Sequence, residues 1–133
     1  PAIPKQNKIL NYVLAEGYSV MKRAALLGEV TKNTSCLAVA GTHGKTTTSA
    51  ILGHLLAESN MPVTAFLGGI SENYNSNLIQ NGSKVSVVEA DEFDRSFLQL
   101  HPNEAVLTSA DPDHLDIYGD EQTILEGIAR KYV

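Results

Sequence analysis

The stretch Ala40-Gly41-Thr42-His43-Gly44-Lys45-Thr46-Thr47-Thr48 follows the apolar run 36–39 and precedes a helical pattern. A strand, a glycine loop with Lys-Thr, and then a helix is an order that builds a pocket for nucleotide phosphates. Amides at a helix start lack intrahelical partners, and the helix dipole adds partial positive charge there. In such a loop Lys45 reaches the β- and γ-phosphates and the Thr46 hydroxyl holds Mg²⁺. The common pattern GxxxxGK(S/T) is met imperfectly, since its first glycine falls on Val39. A shorter loop remains, Gly41-x-x-Gly44-Lys45-Thr46. The alternative, a glycine turn with an incidental lysine, explains less, because Gly-Lys-Thr rarely opens a helix behind a buried strand by chance.

A length of 133 residues is about one domain, enough for a real core. The 43% hydrophobic and 19% charged content are those of a soluble globular protein. No apolar stretch approaches the ~18 residues of a membrane span, and the start does not resemble a signal peptide. A cytoplasmic location without membrane partners is therefore expected. Cys36 is the only cysteine, which excludes an internal disulfide and fits a reducing cytosol. A net charge of −5 argues against a nucleic-acid surface, which would show a basic stripe. It leaves ATP open, because a phosphate site needs only local donors and one or two cations. The chain opens at Pro1, which suggests a piece of a larger protein.

Helical spacing of Ile9, Leu10, Val13 and Leu14 predicts a helix over 7–16, with Gly17 as its stop. Residues 18–21 read as a short extended piece. A second helix is predicted over 24–31, with Ala25, Leu26 and Val30 facing inward. Residues 32–35 are polar and resemble a linker, so the first third reads as the tail of a preceding domain. Strands and helices then alternate. Strands are expected at 36–40, 62–66, 84–89 and 104–108, and helices at 45–59, 94–100 and 120–132. Ile51, Leu52, Leu55 and Leu56 form the stripe of the helix at 45–59. Residues 68–82, rich in Gly, Asn and Ser, read as a long loop or a hairpin with edge strands. The alternation implies an α/β fold, a P-loop NTPase-like, mostly parallel sheet flanked by helices.

In an open parallel sheet the strand carboxyl ends share one edge, and ligands bind in the crevice there. Three predicted strands end in chemistry: the first in the Gly-Lys-Thr loop, another in Glu89-Ala90-Asp91-Glu92, and another in Asp111-Pro112-Asp113-His114-Leu115-Asp116. Mg²⁺ is a hard, octahedral ion held by one or two protein oxygens together with waters and phosphates, a role that Thr46 and Glu89 fit. Asp91, Glu92 and Asp94 read either as site groups or as first-turn acids of the following helix. His114 is open between a site role and a hydrogen-bonded loop residue, since imidazole is a poor Mg²⁺ ligand. His43 is open between facing the nucleotide or a second substrate and simple exposure in the loop. His54 and His101 read as structural.

Together AGTHGKTTT (40–48), FLGG (66–69), VVEADEFDRSF (87–97) and DPDHLDIYG (111–119) resemble the Mur ligase family of ATP-dependent cell-wall enzymes. The likeness covers nearly the whole chain. It implies that 1–33 form the end of a UDP-binding N-terminal domain and its linker, and that 34–133 begin the central ATP-binding domain, which is incomplete here. It also implies that Gly41, Thr42, His43, Gly44, Lys45, Thr46 and Thr47 cradle ATP, with Lys45 on the transferring phosphate. Thr46 and Glu89 would hold one Mg²⁺, and His114 would serve near a second metal, so Lys45, Glu89 and His114 form the implied catalytic set. Ser109 departs from the family, where asparagine often precedes the acidic-histidine motif. The implied reaction joins L-alanine to UDP-N-acetylmuramate through an acyl phosphate. Recycling of murein tripeptide is the near alternative within the family, and a nucleotide-binding switch is the alternative outside it.

Overall fold

The computed structural model describes residues 3–90 and 99–109. Its elements run α1 (Lys8–Ala15), α2 (Arg23–Thr31), β1 (Ser35–Ala40), α3 (Lys45–Glu58), β2 (Val63–Ser71), β3 (Ser76–Gln80), β4 (Val85–Glu89) and β5 (Glu104–Leu107). The strands form one sheet in the order β3-β2-β4-β1-β5. β2, β4, β1 and β5 are parallel, and β3 returns antiparallel along β2 as an edge strand. The expected α/β architecture is thus present. The predicted helices over 94–100 and 120–132 lie largely or wholly outside the described residues.

Alternation along the strands divides the core between the two faces of the sheet. Val63, Ala65, Leu67, Ile79 and Val87 are buried on one face, against Leu52, Leu56 and Ala57 of α3. Cys36, Ala38, Ala40, Val88, Ala90 and Leu100 are buried on the other, where Leu27 of α2 and Phe66 pack. Thr31 and Ser86 are buried on that second side with their hydroxyls satisfied: Thr31 donates to the Leu27 carbonyl at 2.8 Å, and Ser86 meets the Thr34 hydroxyl at 2.6 Å. The polar stretch 32–35 is therefore fastened to the sheet, and Ser35 opens β1 by donating its N–H to the Lys84 carbonyl.

Helix α1 starts and stops where its residues dictate. The Asn7 side chain accepts from the Ile9 and Leu10 amides, each at 3.0 Å. Gly17, at φ +76°, closes the helix, with its N–H on the Leu14 carbonyl and the Tyr18 N–H on the Val13 carbonyl.

The inward faces differ from those expected. Ile9 and Leu14 of α1 are exposed, and Leu26 and Val30 of α2 are exposed while Leu27, Gly28 and Thr31 turn inward. In α3, Ile51 and Leu55 face outward, and the helix meets the sheet through Ser49, Leu52, Gly53 and Leu56. Hydrophobicity marks residues able to be buried, but small residues let a helix lie close to a sheet, so the small ones set the contact face. The 68–82 region is a hairpin: β2 continues to Ser71, and a turn with Asn75 at φ 48° leads into β3.

Candidate nucleotide site at the sheet edge

The loop between β1 and α3 sits at the carboxyl end of β1, the strand that stands between β4 and β5 in the sheet. Two glycines give it its shape. Gly44, at φ +81°, is the N-cap of α3, and Gly41 has φ +126° with Thr108 Oγ1 where a Cβ would stand. The first turn of α3 carries no acidic residue, so the partial positive charge of the helix start is not offset from within the helix.

The end of β5 holds this loop in place. The Thr42 amide donates to the Ser109 carbonyl at 3.2 Å, and the His43 amide donates to Ser109 Oγ at 2.9 Å. Ser109 Oγ also meets Thr42 Oγ1 at 2.8 Å, and the Thr108 hydroxyl bonds the Ala40 and His43 carbonyls. Ser109, where the resemblance leads to an expectation of asparagine, is therefore in direct contact with the loop. The Lys45 ammonium folds back onto the Gly41 and Thr42 carbonyls. His43, Gly44, Thr46 and Thr47 are exposed, and Lys45 is half-buried.

Glu89, the last residue of β4, reaches the same rim. Its Oε2 accepts from the Thr46 hydroxyl at 3.1 Å, and its Oε1 accepts from the Ser49 hydroxyl at 2.9 Å and from the Gly68 amide at 2.6 Å. Lys45, Thr46 and Glu89 thus meet at one edge, as parallel strand ends require. They line one wall of a cavity of about 620 Å³ whose other walls include Arg23, Leu26 and Val30 of α2 and Phe66, Asn77 and Leu78 of the hairpin. The exposed leucine and valine of α2 therefore line this cavity. His114 lies outside the described residues, as do Asp91, Glu92, Asp94, Asp111, Asp113 and Asp116. Sequence reasoning missed Ser49, Gly68 and Thr108 as members of this constellation. Ser49 carries a signal, since it follows Thr46 by one helical turn and so shares its face.

The oxygen set suits a hard cation. A carboxylate and a threonine hydroxyl meet at the mouth of an amide-rich loop, and among the described residues no thiol or imidazole lies between them.

Residues 39–130 match the Mur ligase middle domain. UDP-N-acetylmuramate–L-alanine ligase of Flavobacterium psychrophilum is 67% identical over 124 residues, covering 93% of this chain and 28% of that protein. The enzyme of the same name from Parabacteroides distasonis is 56% identical over 131 residues, again across 28% of its length. The chain therefore spans little more than a quarter of these curated relatives. Among solved structures, the UDP-N-acetylmuramate:L-alanyl-γ-D-glutamyl-meso-diaminopimelate ligase of Neisseria meningitides superposes with a TM-score of 0.80 at 28% identity, covering 98% of this chain and 47% of that one. UDP-N-acetylmuramate–alanine ligase of Thermotoga maritima gives a TM-score of 0.78 at 29% identity, over 99% and 32%. A parallel sheet with a lysine-bearing loop at its edge, and a family match over 39–130, lead to the same conclusion: the chain belongs to the Mur ligase family.

Proposed function

We propose that this chain is the ATP-binding part of a cytoplasmic ligase that joins L-alanine to UDP-N-acetylmuramate through an acyl phosphate. On this reading 1–33 end the UDP-binding domain and 34–133 begin the central domain. The observation that carries the proposal is the meeting of Lys45, Thr46 and Glu89 at one rim of a cavity large enough for a second substrate. The 67% identity to a ligase of that name supports the alanine branch. The TM-score of 0.80 to the Neisseria ligase favours tripeptide recycling as a second reading, but at 28% identity it carries less weight.

Within this scheme the amides at the start of α3 bind the phosphates, and Lys45 leaves the Gly41 and Thr42 carbonyls to neutralise charge on the γ-phosphoryl group. Thr46 and Glu89 would hold Mg²⁺, and by the family resemblance His114 would serve near a second metal. The bound cation supplies further charge neutralisation and orientation. The muramate carboxylate attacks the γ-phosphorus, releasing ADP, and the alanine amine then displaces phosphate from the acyl phosphate. No protein nucleophile takes part, so catalysis is positioning and electrostatics.

The test uses the full-length protein with ATP, UDP-N-acetylmuramate and either single amino acids or the tripeptide. Amide product with L-alanine is expected, and product with the tripeptide alone would move the chain to the recycling branch. Lys45→Ala should lower turnover by roughly 10²–10³-fold, equivalent to roughly 3–4 kcal/mol, with an unchanged far-ultraviolet circular dichroism spectrum. Near-normal ADP formation in that variant would remove the assignment.

A further inference from the structure

We propose that Ser49 and Gly68 are positioning residues that fix the Glu89 carboxylate with Oε2 turned toward the cation. The inference rests on the reading of Glu89 as a magnesium-holding group. Glutamate is a flexible side chain, and a strand end alone does not set its rotamer. Here the donors come from two other elements: Ser49 from α3 and the Gly68 amide from β2 both bond Oε1, at 2.9 and 2.6 Å. Among the described residues the only donor to Oε2 is the Thr46 hydroxyl, at 3.1 Å, the very group expected to share the metal. One oxygen is thus anchored to the protein, and the other is directed toward the loop. Hydrogen bonds of this kind to a ligating carboxylate hold its orientation.

Each residue has a blander role to be weighed. A helix-interior serine commonly satisfies itself on a carbonyl one turn back, and Ser49 does reach the Thr46 carbonyl at 3.1 Å. The bond to Glu89 is shorter, its acceptor is charged, and Ser49 is fully buried with its hydroxyl aimed into the site. Gly68 could be a glycine of convenience within β2. However, a Cβ there would stand 2.4 Å from Glu89 Oε2, 3.0 Å from Glu89 Cδ and 3.1 Å from Glu89 Oε1, so its three nearest atoms all belong to this one side chain. The glycine therefore makes room for this carboxylate in particular. Alanine can be accommodated by moving the end of one flexible side chain, so Gly68→Ala should fold while displacing the carboxylate.

The experiment measures ADP affinity of the full-length protein by calorimetry, once with EDTA and once with saturating MgCl₂, for Ser49→Ala, Ser49→Thr, Gly68→Ala and Glu89→Gln. The ratio of the two affinities reports the metal contribution without any turnover. Ser49→Ala and Gly68→Ala should each reduce this ratio by roughly 10–100-fold, with metal-free ADP binding unchanged. Ser49→Thr, which keeps the hydroxyl, should retain it. A ratio that falls in Glu89→Gln but not in Ser49→Ala and Gly68→Ala would overturn the inference alone. A ratio unchanged in Glu89→Gln would overturn the magnesium reading beneath it. Loss of both affinities together with a lowered melting temperature would assign the two residues to packing, and would also overturn the inference.

Discussion

Cys36 shows how burial governs the chemistry of a single residue. It is fully buried in β1, and desolvation pushes its thiol pKa above the usual value, despite opposing hydrogen bonds from Ser86 and Thr31. A raised pKa in the folded state gives stability that is fully present below the unfolded pKa and lost as pH rises toward the folded one. Unfolding free energy should therefore decline above about pH 8.5, and Cys36→Ala should flatten that decline, as read from urea titrations at several pH values. Alkylation by iodoacetamide should be slow until the protein unfolds. At the same scale, the lysine, the threonine and the glutamate of the rim were legible, because each residue type carries its chemistry openly. Ser49 and Gly68 were not, because a buried serine and a strand glycine acquire their roles only from what stands opposite them.

At the scale of elements, α3 depends on its N-cap. Gly44 caps the helix from the left-handed region, with no side-chain cap hydrogen bond. Gly44→Ala should cost roughly 1–2 kcal/mol in urea unfolding and weaken ADP binding, since relief of the strain would turn the first-turn amides away. Wild-type stability in this variant would show that the cap conformation is not needed. Element existence and type were readable along β1, α3, β4 and β5, because short β-rich runs, helical spacing and glycine punctuation agreed. Faces were less readable. Ile51 and Leu55 are as apolar as Leu52 and Leu56, yet the sheet accepts the side carrying Ser49 and Gly53. The hairpin tip is held to α3 by His54 Nδ1 and the Tyr74 hydroxyl at 2.9 Å, which gives the structural reading of His54 a definite partner.

For the molecule as a whole, the order β3-β2-β4-β1-β5 brings together residues more than forty positions apart. Parallel pairing was inferable from alternating strands and helices, and so was a common edge for the strand ends. The strand order itself was not inferable, since the alternation does not say which strand stands between β4 and β5. The bonds from Ser109 to Thr42 and His43 tie the loop to the residues just beyond β5. Ser109→Ala should speed deuterium uptake at the His43 amide severalfold while leaving β4 unchanged, as resolved by mass spectrometry of peptic fragments. Equal uptake in the two proteins would show that the serine hydroxyl does not restrain the loop.

With two of its amides already committed to Ser109, the front half of that turn has little left to offer an incoming anion. On the proposed reading a phosphate would seat against the rear amides at the helix entrance, and that entrance would set its depth along the sheet edge.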